Sequence, residues 1–389
     1  MLAHSIEFSP QNDREALAAA PAAPAVFLLR GEEEGEPYVS KSANLRRRLQ
    51  RLLAPAEERS RRLNLRERVR RIEYTLSGSD FESRFLLYRT LQQVFPETYR
   101  TRLRLRLAPL VRLNLDNPYP RAWVTRRLGR RGTSLYYGPF PTRAAAEKFL
   151  SDSLDLYKMR RCDFDLAPDP AFPGCIYSEM KMCLAPCFKG CSDAEYAEEV
   201  GRVRQYLDSG GRSLVAQLEG ERERASAGLE FEHAAGIHAR LEKALGAMGL
   251  LPDLARRVDR LAGVVVQRST EPESVALFRV HAGCIALPVV FPVQPREGKP
   301  VSMEARLGEA LATTAAPAKV SAAERMEHLA LLKHWYYRSS RAGEIFLADE
   351  KGALPMRRMV RGIARVFKGE PVQEFIAESA ERAEKTPRS

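Results

Sequence analysis

Four cysteines, Cys162, Cys175, Cys183 and Cys187, lie within one short segment with the spacing C-x12-C-x7-C-x3-C. Four thiolates that loops bring together can bind a tetrahedral zinc ion or a 4Fe–4S cluster, because both need soft anionic ligands. The plainer alternatives are small core residues or a disulfide pair. The crowding of four of the six cysteines into this segment favours a metal site. Cys191 follows at a further x3 interval and is a substitute ligand.

Arginines crowd the first third of the chain. The 389 residues carry a formal net charge of +12, with a pI near 9.5, which calls for a polyanionic partner. Guanidinium groups match phosphate oxygens, and many such contacts give salt-sensitive binding of low sequence specificity. We therefore predict binding to nucleic acid; the alternative is a solvated basic surface. The arginines are Arg46, Arg47, Arg48, Arg51, Arg59, Arg61, Arg62, Arg66, Arg68, Arg70, Arg71, Arg100, Arg102, Arg104, Arg106 and Arg112.

One group of these arginines alternates with other residues. Arg100, Arg102, Arg104 and Arg106 are separated by single residues, and alternate residues of a β-strand lie on the same face. The pattern predicts a strand with a stripe of arginines facing phosphate. With Arg46 and Arg47, these four are the predicted nucleic-acid-binding residues.

Composition also bears on the location of the protein. No segment approaches the uninterrupted apolar length of a membrane span. The first residues lack the basic start and apolar stretch of a signal peptide. We expect a cytoplasmic protein with no membrane partner, in which free or metal-bound thiols are favoured over disulfides.

Hydrophobic periodicity predicts a multidomain α/β (α+β) fold. The N-terminal region has the order strand, strand, helix, strand, helix. Asn44 is the predicted cap of the first helix, and Phe81, Phe85, Tyr88 and Leu91 share the inward face of the second. The predicted regions are residues 1–105, a small mixed-sheet domain; 106–193, the cysteine-rich region; 194–250, a helical hairpin; and 251–389, a C-terminal α/β region.

For the rest of the chain, the sequence predicts the approximate order of helices and strands. Residues 142–157 form a helix, and an apolar stripe over residues 194–248 is typical of two antiparallel helices. After Pro252 the pattern changes to strands. These are followed by two helices, a short strand at residues 344–347 and a basic helix at residues 356–366.

Three motifs together resemble the UvrC family of excinuclease subunits. Pro24-Ala25-Val26-Phe27 and the run from Tyr38 to Leu49 are similar to its GIY-YIG nuclease domain, and the cysteine segment is similar to its cysteine region. Leu229-Glu230-Phe231-Glu232-His233-Ala234-Ala235 resembles its UVR hairpin. The resemblance implies a 4Fe–4S cluster on Cys162, Cys175, Cys183 and Cys187, with zinc as the alternative. It also implies two partners, double-stranded DNA and a UvrB-like protein that binds through residues 213–248.

The nuclease motif departs from the family pattern. Tyr38, Lys41 and Arg48 fall on the family's second tyrosine, its lysine and its helix arginine. The first tyrosine is replaced by Phe27, the YIG glycine by Ser40, the metal-binding glutamate by Leu87 and the later asparagine by Arg100. Leucine cannot ligate a hard divalent cation, so we expect no catalytic Mg or Mn. Glu82 lies on another helical face and does not replace the glutamate.

Three functions follow as hypotheses. The first is a UvrC-like DNA-binding protein of nucleotide excision repair whose GIY-YIG nuclease activity is weakened or lost. The second is an active GIY-YIG endonuclease that makes a single incision. The third is a metal-stabilised interaction module that binds RNA. Residues 251–389 resemble the lead-in to the family's RNase H-like nuclease, and we expect the chain to end before that nuclease's catalytic residues.

Overall fold

The computed structural model describes residues 2–31, 35–55, 63–129, 132–294, 301–313 and 320–370. These described residues form helices and three sheets, which confirms the predicted mixed fold class. Arg59, Arg61 and Arg62 of the basic stretch lie outside the described residues. Of the helices in the described ranges, none has both the length and the apolar character that crossing a membrane requires.

The N-terminal region holds a four-stranded antiparallel sheet. Its elements are β1 (His4–Glu7), α1 (Asp13–Ala19), β2 (Ala25–Arg30), β3 (Tyr38–Ser42), α2 (Leu45–Leu53), β4 (Arg71–Leu76), α3 (Asp80–Val94) and α4 (Tyr99–Leu103). The strand order is β1-β4-β2-β3. The central strand β2 is buried from Ala25 to Leu29, because one of its faces packs against α1 and α2.

Most N-terminal predictions are confirmed. The Asn44 side chain accepts the backbone N–H of Arg47 and so caps α2. The predicted inward face of α3 is buried. Two elements were missed, β1 and α1. Because β1 is largely exposed, its sequence carries no alternating apolar pattern, and its pairing with β4 defines it.

The predicted arginine strand is wrong. Arg100 and Arg102 lie on the short helix α4, which ends at Arg104 with a positive φ of 49°. Tyr99 at the start of α4 is buried, and its packing against Tyr88 of α3 favours the helix. Arg106 follows α4 outside regular secondary structure. The four side chains therefore do not share one strand face.

The middle region begins with a second sheet and its covering helix. Its elements are β5 (Leu110–Asn114), β6 (Arg121–Thr125), β7 (Leu135–Gly138), α5 (Arg143–Leu154) and the later β8 (Arg256–Arg257). The strand order is β6-β5-β7-β8. Because β8 pairs with β7, this sheet uses residues on both sides of position 250.

Three helices, rather than the predicted two, follow the cysteine segment. A short helix α6 (Ile176–Glu179) lies within that segment, and α7 (Asp193–Ser209), α8 (Arg212–Ala227) and α9 (Phe231–Gly249) come after it. Gly210 and Gly211 separate α7 from α8 with positive φ angles of 62° and 92°, a backbone that glycine adopts readily. A Cβ at Gly211 would lie 3.1 Å from Met248. The apolar spacing continues through this break, so periodicity alone did not reveal it.

The C-terminal region contains the third sheet. Its elements are β9 (Gly263–Arg268), β10 (Ser274–His281), β11 (Cys284–Ile285), β12 (Val289–Pro292), α10 (Met303–Ala312), α11 (Ala322–Tyr336), β13 (Glu344–Leu347) and α12 (Met356–Lys368). The main strand order is β11-β10-β9-β13, and β12 pairs with β10. These elements match the predicted pattern closely.

One hydrophobic core joins the first and last regions of the chain. Phe81 and Phe85 of α3 pack edge-on against Phe278 of β10, with ring centroids 5.0 and 6.1 Å apart. Trp335 of α11 packs against Phe81 at 5.2 Å. The N-terminal and C-terminal regions therefore share buried aromatic surface, and α3 is fixed between them.

Candidate functional site

The structure brings two of the three retained residues of the nuclease-like motif into contact. Arg48 on α2 donates from Nη2 to the Tyr38 hydroxyl on β3 at 3.0 Å. Lys41 is three positions further along β3, so it lies on the other face of the sheet. Phe27 of β2 packs beside Tyr38, with ring centroids 6.1 Å apart. Because the Phe27 ring is fully buried and has no hydroxyl, only Tyr38 presents a phenol here.

Leu87 occupies the expected glutamate position on α3. It packs against the core shared with the C-terminal region, as does Val39 of β3. Glu82 accepts the backbone N–H of Gly78 at 2.7 Å, and burial raises the pKa of its carboxyl. The Glu82 carboxyl thus forms a capping hydrogen bond at the start of α3. An apolar contact stands where a metal ligand would be needed.

Lys41 forms an ion pair with Asp80 at the start of α3. Arg338, just after α11, donates from Nη1 to the other oxygen of Asp80 at 2.5 Å. Burial acts to raise the pKa of Asp80, but the hydrogen bond from Lys41 and the nearby positive charges hold it below its usual value. Asp80 therefore remains a carboxylate that links the two ends of the chain.

Arg100, at the lost asparagine position, contacts a buried carboxylate. Its Nε donates to Glu327 of α11 at 2.6 Å, and the hydroxyls of Tyr88 and Tyr99 donate to Glu327 at 2.9 and 3.0 Å. Burial and then the Glu327 charge raise the pKa of Tyr88. Both phenols remain neutral donors at ordinary pH. A hydrogen bond within the protein thus occupies the Nε of Arg100.

The other predicted nucleic-acid-binding arginines divide into two groups. Arg46 donates to the carbonyl oxygens of Ala18 and Ala20 at the end of α1. Arg102 pairs with Glu36 and lies over the Phe95 ring. Arg47, Arg104 and Arg106 are exposed, and in the described ranges no hydrogen bond or ion pair occupies their side chains.

The four cysteines of the metal-site prediction are neighbours. The pKa of Cys183 is raised to about 11, chiefly by burial, and the thiols of Cys162, Cys187 and Cys175 contribute to the increase because they lie near it. All of these cysteines are free thiols. Within the described residues, no three His, Cys, Asp or Glu side chains are grouped tightly enough to hold a metal ion. The thiols are therefore clustered without forming a closed coordination shell.

A buried guanidinium lies beside this cluster. Arg160 is 1% exposed, and its Nη1 is 3.4 Å from Cys162 Sγ. Its other bonds reach the carbonyl oxygens of Phe164 and Tyr119, and no carboxylate in the described part of the chain pairs with it. A buried charge without an opposite charge is unfavourable. Four soft sulfur donors and the Arg160 charge have the chemistry that an anionic metal–sulfur group requires, although the thiols as placed are too far apart to coordinate one.

The cysteine segment lies inside a region that matches a known family. Residues 108–206 match the UvrC/Cho excinuclease, middle domain. The UvrABC system protein C of Alcanivorax borkumensis is 31% identical over 223 residues, which cover 56% of this chain and 36% of the relative. That of Carboxydothermus hydrogenoformans is 29% identical over 269 residues, which cover 67% and 42%. The chain is UvrC-like.

The extent of the likeness is limited. The matched part of the UvrC-like chain spans between 34% and 42% of the length of the curated relatives. No solved structure matches it. The family region runs from just before β5 into α7, so all four clustered cysteines lie inside it.

Helices α8 and α9 of the UvrC-like chain form the predicted hairpin. Leu229, with a positive φ of 60°, lies in the turn between them. Leu229 is 71% exposed and Phe231, at the start of α9, is 67% exposed. Two large apolar side chains at one exposed tip form a surface suited to a protein partner.

Sequence reasoning missed two residues that join the regions of this UvrC-like chain. Glu327 lies in a run of buried residues that extends from Met326 to Leu332. An acid inside an otherwise apolar helical run indicates a buried polar contact, and that signal was available. Arg338 follows α11 without any pattern, so only the fold reveals its contact with Asp80.

Proposed function

We propose that this UvrC-like chain is a DNA-binding protein of nucleotide excision repair whose GIY-YIG nuclease centre is weakened or lost. The observation that carries the proposal is Leu87, which contributes an apolar contact at the glutamate position. A phosphodiester nuclease of this type needs a carboxylate to hold the metal that polarises the phosphate. Tyr38, Lys41 and Arg48 still offer donors to a phosphate oxygen.

The net charge of +12 supports a nucleic-acid partner. Exposed Arg47, Arg104 and Arg106 are suited to phosphate contacts that are insensitive to sequence. We expect double-stranded DNA to contact these side chains. The UvrABC names of the relatives support assignment to excision repair.

Nuclease activity tests the proposal directly. We expect the parent chain to bind duplex DNA without metal-dependent nicking. The double variant Phe27→Tyr, Leu87→Glu, which supplies the missing phenol and carboxylate, should nick DNA with Mn²⁺ at least about tenfold faster than the parent. The measurement is conversion of supercoiled plasmid to the nicked form.

The matched control is Phe27→Tyr, Leu87→Gln, which has nearly the same shape without the ligand charge. It should behave as the parent does. Robust cutting by the parent would overturn the proposal and favour a single-incision endonuclease. If structured RNA displaced labelled duplex more effectively than unlabelled duplex did, the RNA-binding interaction module would be favoured.

We further propose that Cys162, Cys175, Cys183 and Cys187 hold a 4Fe–4S cluster, with zinc as the alternative. Such a cluster would supply a rigid cross-link among the loops of the segment. Arg160 would offset its negative charge. The neighbouring Ala185 backbone N–H donates to Cys183 Sγ at 3.3 Å, a contact that favours a thiolate at that position.

Metal content tests this assignment. Protein purified without oxygen should contain about four iron atoms per chain, with visible absorption typical of the cluster. Cys183→Ser should lose most of the iron, because serine removes a soft ligand. Cys284→Ser, a buried cysteine of the C-terminal region, is the matched control and should keep it. One zinc ion per chain without iron would show that the four cysteines bind zinc rather than a cluster.

The α8–α9 hairpin is proposed as the contact with a UvrB-like protein. Its exposed tip residues Leu229 and Phe231 support this assignment. We expect replacement of either residue to weaken that contact.

A further inference from the structure

Asp80 lies between cations that come from distant parts of the chain. It pairs with Lys41 of β3 and with Arg338, a residue 258 positions away in the sequence. The side chains of Lys41, Asp80 and Arg338 remain 29%, 49% and 43% exposed. A ligand from solution can therefore reach all three.

Arg84 adds a further cation to the same place. It follows Asp80 by one helical turn on α3, so the two side chains point the same way. Burial lowers the pKa of Arg84, Asp80 opposes that change, and the Arg338 charge adds to it. The Nε of Arg84 is shielded from solvent and has no hydrogen-bond partner among the described residues. No protein acceptor in the described part of the chain therefore occupies this nitrogen, as is also true of the Nε of Arg48 and Arg341.

His334 completes the surroundings of this cluster. Burial and then the charges of Arg84 and Arg338 lower the pKa of His334, so the imidazole is neutral at ordinary pH and adds no charge. The cluster thus sets one carboxylate against three cations, Lys41, Arg84 and Arg338. Positive charge remains in excess after Asp80 is counted.

We propose that Lys41, Arg84 and Arg338 form a phosphate-binding site for the nucleic-acid backbone. The site is built jointly by the N-terminal region and the segment that follows α11. This inference rests on the proposed DNA-binding function and deepens it by naming a residue outside the nuclease-like motif. Guanidinium forks match phosphate oxygens in geometry and charge. Asp80 pairs with Lys41 and Arg338 and therefore competes with the phosphate for them.

The test measures affinity of the full chain for a fluorescent duplex oligonucleotide over a range of salt concentrations. Arg338→Ala should weaken binding roughly tenfold and reduce the slope of log affinity against log salt by about 1. Arg338→Lys should recover most of the affinity. Arg143→Ala removes another exposed arginine, paired with Glu147 on α5, and is the matched control with unchanged slope.

Asp80→Asn separates ligand binding from a merely structural contact. If phosphate binds here, removal of the competing carboxylate should tighten binding about threefold or more. If the cluster only joins the two regions, Asp80→Asn and Arg338→Ala should both lower the unfolding midpoint in urea and leave the salt slope unchanged. That result overturns this site and keeps the proposed function. A parent chain that fails to bind DNA overturns both.

Discussion

Replacing Glu327 by alanine is expected to lower the free energy of unfolding by about 3 kcal/mol. The carboxylate is buried in α11 and accepts hydrogen bonds from Tyr88, Tyr99 and Arg100 of the N-terminal region. Its loss leaves the buried Tyr88 hydroxyl without an acceptor. Arg100 is 59% exposed, so water can solvate its charge when Glu327 is removed. The expected loss of stability is therefore near the lower end of the range for breaking a buried ion pair. Urea unfolding followed by tryptophan fluorescence measures the change.

A matched control lies on the same helix. Glu324 is 3.9 Å from Arg89, so Glu324→Ala removes a longer ion pair whose carboxylate is more exposed than Glu327, and it should cost less than about 1 kcal/mol. Tyr99→Phe should fall between the two variants, and its effect should be smaller when Glu327 is already alanine. Equal losses for Glu324→Ala and Glu327→Ala would contradict the buried network.

Replacing Phe231 by alanine is expected to weaken binding to a UvrB-like partner about 100-fold. Phe231 is 67% exposed in the free chain, and burial of a large apolar side chain at an interface contributes about 1.5–3 kcal/mol. The neighbouring Leu229 should give a similar loss. Titration calorimetry with the purified partner measures the affinity, and the circular dichroism of the variant checks that α8 and α9 remain folded.

Leu245→Ala is the control for the hairpin tip. Leu245 is also exposed on α9, but it lies 14 residues from Phe231, about 21 Å along the helix. Its replacement should change the affinity less than threefold. If Leu245→Ala weakened binding as much as Phe231→Ala, the partner would contact the length of the hairpin rather than its tip.

Elements defined by periodicity were predictable, and elements defined by contact with distant residues were not. The inward face of α3 follows from Phe81, Phe85 and Tyr88, because their spacing alone marks one side of a helix. Strand β1 exists because it pairs with β4, and its own exposed sequence carries no such mark. The alternation from Arg100 to Arg106 suggested a strand, yet burial of Tyr99 outweighed it.

The same distinction applies to the candidate site. The cysteine cluster and the replaced glutamate at Leu87 could be found from residue types and order. The contacts of Asp80 and Glu327 with partners more than 200 residues away needed the fold. The break at Gly210 and Gly211 was partly predictable. Glycines commonly end helices, but the apolar stripe that continues past them concealed the break.

The core shared by α3 and α11 also fixes the order in which the protein can fold during synthesis. Tyr88 and its partner Glu327 are 239 residues apart. At about 5–20 residues per second, a ribosome needs roughly 10–50 seconds to make the intervening chain. For that time the aromatic face of α3 has no C-terminal sheet or helix to cover it. The N-terminal region can therefore complete its buried core only after α11 has been synthesised, and faster translation shortens the exposure of that face.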